Sequence, residues 1–235
     1  MTKVNRFKGF RNQKQQVKTG SGRKMSSTKW LHRHLNDPYV ALAKEQGYRS
    51  RAAFKLKDIF EKYTDFKKAK VIVDLGCAPG GWLQVLKEVC SKSVIVGLDL
   101  KEVDAIEGVD LIVGDFLEED IYKQLEQLIG DQKVELLLSD MASNASGDKE
   151  IDHFRNVELI EMALEFANNH LAIGGNFVAK FLRGKEEEQL RNKLKQSFKT
   201  LKLFKPKTSY ADSSEVFLIA LQFKDCAAVD GDENS

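Results

Sequence analysis

Short apolar runs alternate with longer amphipathic segments along most of the chain. The runs are Val71–Leu75, Val94–Leu98, Leu111–Val113, Val134–Leu138 and Asn176–Leu182. Between them, apolar positions recur at helical spacing over about 81–91, 118–129, 153–172 and 185–198. Strands alternating with helices predict βαβ units and a largely parallel sheet covered on both faces. The C-terminal part breaks the alternation. Leu201–Phe204 and Val216–Phe223 are strand-like runs joined by about eleven residues without helical periodicity, and strands without a crossover helix pair antiparallel. Upstream, Ala52, Leu56, Ile59 and Tyr63 recur at i, i+4, i+7 and i+11 and predict a helix over 51–63 with Ser50 as its cap. Lys55 lies about 60° off that stripe, at the border between core and solvent.

Charge divides the chain further. Residues 1–36 carry ten Lys or Arg and no Asp or Glu, so 27 bases remain against all 35 acids, a net of −8 behind the overall +2. Residues 1–28 are polar and lack periodicity, and 225–235 carry four acids and no base. The expected organisation is a flexible basic arm over 1–28, one folded domain over 29–224 and an acidic disordered tail over 225–235. No apolar run approaches the roughly 18 residues of a membrane span, and the N-terminus lacks a secretory apolar stretch. Cys77, Cys90 and Cys226 are odd in number and widely spaced. Together with His32, His34, His153 and His170 they predict neither a disulfide framework nor a metal site, which fits the cytoplasm.

The first strand runs into Asp74-Leu75-Gly76-Cys77-Ala78-Pro79-Gly80-Gly81-Trp82, followed by a helix. Ligands of open parallel sheets bind at the carboxyl ends of strands. The G-x-x-x-G-G spacing differs from the dinucleotide fingerprint G-x-G-x-x-G, which disfavours a pyrophosphate ligand. Asp99 ends the second strand, where a carboxylate can accept from ribose hydroxyls, and Asp115, past the third, can accept from an adenine amino group. Asp74, Asp99, Asp115 and Asp140 together suit a cationic nucleoside and repel phosphate. S-adenosylmethionine has that character.

Lys180 interrupts the apolar run Phe177–Leu182, and lysine is almost never fully buried without a partner. Asp140 ends the neighbouring run, and Glu215 opens the last one. An antiparallel last strand begins at the carboxyl edge of the others, so Asp140, Lys180 and Glu215 are expected on one rim, with Lys55 completing the group from its helix.

These residues carry a family resemblance. Arg49-Ser50-Arg51-Ala52-Ala53-Phe54-Lys55-Leu56, the Asp74–Trp82 loop, Ser139-Asp140-Met141-Ala142, Val178-Ala179-Lys180 and Ser213-Ser214-Glu215-Val216 resemble the FtsJ/RrmJ family of S-adenosylmethionine-dependent RNA ribose 2′-O-methyltransferases. The resemblance spans about Lys29 to Phe223. It implies a Lys-Asp-Lys-Glu catalytic tetrad at Lys55, Asp140, Lys180 and Glu215. It also implies cofactor contacts at Gly80, Trp82, Asp99, Asp115 and Asp140. The implied α/β fold is Rossmann-like, a seven-stranded, mostly parallel sheet with an antiparallel last strand. Cys77 and Ser143 stand where close bacterial relatives have alanine and proline.

A ribose hydroxyl is a weak nucleophile that must lose a proton as it attacks. Lys180 fits either a general base or a charge that stabilises the developing alkoxide. The arm, with Lys3, Arg6, Lys8, Arg11 and further bases, suits RNA phosphates, and Arg49 and Arg51 extend it towards Lys55. A solvated arm and an organellar transit peptide are its alternatives. The compact length together with the resemblance to the bacterial members of that family implies a uridine of large-subunit ribosomal RNA within the ribosomal subunit as substrate; a monomer is the expected acting species. The rival readings are a tRNA methyltransferase, a nicotinamide-dependent oxidoreductase and a non-catalytic RNA-binding ribosome-assembly factor.

Overall fold

The computed structural model describes residues 31–224; the basic arm and the acidic tail lie outside the described residues. Seven strands form one sheet: β1 (Val71–Leu75), β2 (Val94–Asp99), β3 (Asp110–Val113), β4 (Val134–Ser139), β5 (Leu171–Leu182), β6 (Phe198–Phe204) and β7 (Glu215–Phe223). Their order is β3-β2-β1-β4-β5-β7-β6. The first five pair in parallel, and β7 runs antiparallel to both β5 and β6. This is the expected α/β sheet, with its antiparallel strand inserted between β5 and β6. The chain winds outwards from β1 in one direction and from β4 in the other. The cleft beyond the carboxyl ends of that central pair is therefore the place for a ligand.

Helices α1 (Pro38–Glu45), α2 (Ala52–Lys62), α3 (Gly81–Val89), α4 (Glu119–Ile129), α5 (Lys149–His170) and α6 (Glu187–Ser197) cover the two faces, and Thr64–Lys68 adds a 3₁₀ turn. Successive strand side chains point to opposite faces, and the core divides accordingly. Val71, Val73, Leu75, Leu137, Phe177, Ala179 and Phe181 pack with α4, α5 and α6 on one face. Ile72, Ile95, Leu136, Leu138, Val178, Phe217 and Ile219 pack with α2 and α3 on the other. Leu56 and Ile59 of α2 are fully buried there, and each contributes about 1.5–3 kcal/mol by leaving water.

Three local expectations change. Ser50 does not cap α2: the cap position is Arg51, with helical backbone and no side-chain cap, and the Ser50 hydroxyl is buried against Gly81. Helix α5 starts at Lys149, four residues before its apolar stripe, because the Asp148 carboxylate accepts from the amides of Glu150 and Ile151 in an exposed first turn. It ends at His170, so β5 begins at Leu171 rather than Asn176. Helix α1 lacks a clear apolar stripe, with only Ala43 buried, and is marked instead by Asp37 as its cap and Pro38 in its first turn.

Candidate active site

Parity along the strands builds the site. Asp74 has the parity of Ile72, Asp99 that of Ile95, Asp115 that of Leu111, Asp140 that of Leu138, Lys180 that of Val178, and Glu215 that of Phe217. All six stand within two residues of a strand terminus on the rim, with the parity of the α2/α3 face. Helix α2 crosses that face and adds Lys55. Its carbonyl at Ala52 accepts from Trp82 Nε1 at 2.9 Å, which locks α2 to α3 beside the glycine-rich loop.

The four tetrad residues meet as two ion pairs. Lys55 Nζ lies 2.6 Å from Glu215 Oε1 and donates to Oε2 at 2.7 Å. Lys180 Nζ lies 3.0 Å from Asp140 Oδ1 and donates to the Asp140 carbonyl at 2.6 Å. All four side chains are largely buried, with 11–20% of each exposed. Burial pushes the Glu215 carboxyl up, but the charge and hydrogen bond of Lys55, the Ser209 hydroxyl and the charge of Lys180 together hold it below its ordinary value. Ser209 Oγ donates to Glu215 Oε1 at 2.8 Å. The two pairs thus share one electrostatic site.

Next to them, Asp74 is fully buried, and neither of its oxygens has a hydrogen-bond partner among the described residues. Burial, then the charges of Asp140 and Asp99, push its carboxyl well above the ordinary range. Burial and the same acidic surroundings, Asp74 before Asp99, push up the Cys77 thiol. Gly76 has φ +78°, and a Cβ there would lie 2.7 Å from the Met141 nitrogen. The loop after β1 therefore passes against the backbone that follows Asp140. Gly80 has φ +101°, and its Cβ would lie 2.7 Å from Arg49 Nη1.

The remaining expected cofactor residues stand as follows. Asp99 accepts from the amides of Ala78 at 2.8 Å and Lys101 at 2.9 Å, which tie it to the glycine-rich loop and leave further lone pairs. Asp115 accepts from the Leu117 amide at 3.0 Å. The Trp82 indole is buried, tilted against the Phe217 ring, with its nitrogen already donating to Ala52. Its backbone in the first turn of α3 is the part that faces the loop. Arg49 and Arg51 do not extend the arm as free cations. Arg49 donates to the carbonyls of Asp104 at 2.7 Å, Ala105 at 3.2 Å and Pro79 at 3.4 Å. Arg51 pairs with Asp37, donates to the Thr208 carbonyl and lies 4.2 Å over the Tyr210 ring.

Comparison with known proteins agrees with this geometry. Residues 48–223 match the FtsJ-like methyltransferase family. The chain belongs to that family. It is 46% identical over 227 residues to ribosomal RNA large subunit methyltransferase E of Rickettsia canadensis, across 94% of this chain and 100% of that protein. It is also 46% identical to the protein of the same name from Jannaschia sp., across 95% and 98%. A crystal structure from Plasmodium falciparum described as a ribosomal RNA methyltransferase superposes with a TM-score of 0.67 at 33% identity, covering 75% of this chain and 98% of that one.

FtsJ-like methyltransferases of ribosomal RNA use S-adenosylmethionine as methyl donor, and the residues present fit it. The cofactor carries a sulfonium and an ammonium. The site offers an unpartnered buried carboxyl at Asp74 flanked by Asp99 and Asp140, and a loop whose glycines leave room that side chains would fill. Sequence reasoning had this acidic cluster from strand-end spacing. It did not find Ser209, the Arg49 brace, or the buried polar pair His153 and Asn156 on α5. The last two were detectable, because they continue the apolar stripe of Val157, Ile160, Leu164 and Ala167 by helical spacing.

Proposed function

We propose that this methyltransferase modifies the 2′-OH of a uridine in large-subunit ribosomal RNA, within the ribosomal subunit, as a cytoplasmic monomer. The observation that carries the reading is the pairing of Lys55 with Glu215 and Lys180 with Asp140, beside the unpartnered Asp74, at one sheet rim of a single chain. The names of the relatives favour large-subunit ribosomal RNA over tRNA.

When bound, S-adenosylmethionine supplies an electrophilic methyl on a good leaving group, so alignment of the acceptor oxygen dominates the chemistry. In this reading Asp74, Asp99, Asp115 and the backbone of Gly80 and Trp82 hold the cofactor. Lys180 takes the hydroxyl proton or stabilises the oxygen that loses it. Asp140 orients Lys180 through its 3.0 Å contact. Glu215, held ionised by Lys55, keeps a fixed negative charge beside Lys180 and opposes its drift towards solvent. The basic arm engages phosphates. In support, Arg33 pairs with Asp212 and lies 3.7 Å over Tyr210, in the loop that leads into Glu215. The start of the described chain is thereby tethered at the rim that would take the acceptor ribose.

The test is transfer of labelled methyl to large ribosomal subunits from cells lacking the protein, with nuclease mapping of the label. The wild type should label a uridine ribose, and Lys180→Ala should bind S-adenosylmethionine without transferring methyl. Label on a base, label only in tRNA, or near wild-type turnover by Lys180→Ala would overturn the reading.

A further inference from the structure

Strand β4 pairs with β5 only as far as Ser139 opposite Ala179. At Asp140 the chain turns away, its amide bonding back to Leu75 of β1 at 3.0 Å. Strand β5 nevertheless continues through Lys180, Phe181 and Leu182, paired on its other side with β7 as far as Leu182 opposite Glu215. The divergence of β4 from β5 leaves the β4-facing backbone groups of β5 beyond Ala179 without a strand partner.

Helix α5 supplies the missing partner with side chains. Asn156 Nδ2 donates to the Lys180 carbonyl at 3.0 Å, and its Oδ1 accepts from the Leu182 amide at 2.8 Å. In a parallel ladder a residue donates to the carbonyl of one neighbour and accepts from the amide two positions further on. The Asn156 carboxamide reproduces that pattern opposite Phe181. His153, one turn earlier on the same helix face, continues it. The amide of Glu186 donates to His153 Nε2 at 3.0 Å, which leaves Nδ1 to donate to the Leu182 carbonyl at 2.6 Å. Both side chains are almost completely buried, at 2% and 3% exposure. The chain closes over the imidazole at Gly184, where a Cβ would lie 2.4 Å from the ring.

We infer that Asn156, supported by His153, is a positioning residue for Lys180. It holds the last turn of the β5 pleat so that Nζ stays at Asp140 after the strand that carries Asp140 has left the sheet. The inference rests on the assignment of Lys180 to methyl transfer, and it adds a residue that touches neither cofactor nor acceptor. The same device fixes Leu182, the register partner of Glu215. Asn156 therefore bears on both ion pairs through backbone alone.

The test measures kcat and KM for the large ribosomal subunit, and Kd for S-adenosylmethionine, in Asn156→Ala and the near-isosteric Asn156→Asp. Lys180→Ala is measured alongside. Asn156→Ala should lose at least tenfold in kcat, with KM and cofactor Kd within about twofold of wild type. Asn156→Asp keeps the acceptor for Leu182 but loses the donor to the Lys180 carbonyl, so it should fall between. Unchanged kcat in either folded variant, or a kcat loss matched by an equal loss of cofactor affinity, overturns the inference. An active Lys180→Ala would instead overturn the catalytic assignment beneath it. Hydrogen exchange of the wild-type Leu182 amide gives a reading independent of variants: protection comparable to Val178 is expected, and rapid exchange would refute the surrogate ladder.

Discussion

Replacing Asp74 by asparagine should stabilise the cofactor-free protein and weaken cofactor binding, two effects of opposite sign from one near-isosteric change. The Asp74 carboxyl is wholly buried without a hydrogen-bond partner among the described residues, and burial, with Asp140 and Asp99, pushes it well above the ordinary range. An unpartnered buried polar group costs about 1–3 kcal/mol and a charged one more. Exchanging the acid for an amide therefore recovers on the order of 1–2 kcal/mol at neutral pH, or roughly 2–8 °C in Tm for a domain of this size. A hydrogen bond from a cationic ligand to this carboxylate contributes about 1.5–3 kcal/mol, so cofactor affinity should fall roughly ten- to hundredfold. The pH dependence has a definite sign. A carboxyl raised in the folded state contributes stability below its unfolded value, and that stability is lost as pH rises towards the folded value. The advantage of Asp74→Asn should thus open with rising pH and close below the ordinary carboxylate range. Thermal melts of the free protein across pH, with calorimetric titration of S-adenosylmethionine, measure both effects. A variant that is less stable than wild type at neutral pH and binds the cofactor normally would refute the reasoning.

Two further outcomes follow from the same geometry. Glu215→Gln leaves Lys55 without its counter-charge and should cost roughly 1–3 kcal/mol, below the 3–5 kcal/mol of a fully buried pair because both side chains retain some solvent. Since Lys55 holds the Glu215 carboxyl below its ordinary value, this stability is present above the ordinary carboxylate range and lost as pH falls through the depressed value. Denaturant titrations of wild type and variant should converge in acid, and a constant gap would refute the coupling. Gly76→Ala places a Cβ against the Met141 backbone at a positive φ, so it should destabilise by more than 1 kcal/mol and weaken cofactor binding; a melt and affinity matching wild type would contradict the close approach.

Much of the site was legible in the chain because strand periodicity is a local property. Alternation places Asp74 with Ile72, Asp140 with Leu138 and Lys180 with Val178; Asp140 follows the end of its apolar run, and Asp74 and Lys180 interrupt theirs close to the end. Arg49 and Arg51 show the limit. As bases beside Lys55 they read as an extension of the arm, yet one braces three carbonyls around the glycine-rich loop and the other is held between Asp37 and Tyr210. Their carbonyl partners lie 30 to 157 residues away in sequence, beyond any local pattern. Ser50 failed for a related reason: a good capping residue at the right spacing was drawn against Gly81 by the packing of α2 on α3.

By itself the sequence determined which residues reach the rim and on which face, since the two-residue strand repeat and the end of each apolar run are properties of the local backbone. The tertiary structure decided what those residues do to one another. Strand order set β1 beside β4 and β7 beside β5, α2 brought Lys55 onto Glu215, and α5 took over where β4 left β5. Each of these is a long-range contact, selected by burial and by the need to satisfy every buried backbone group, and neither condition is set until the whole sheet is assembled.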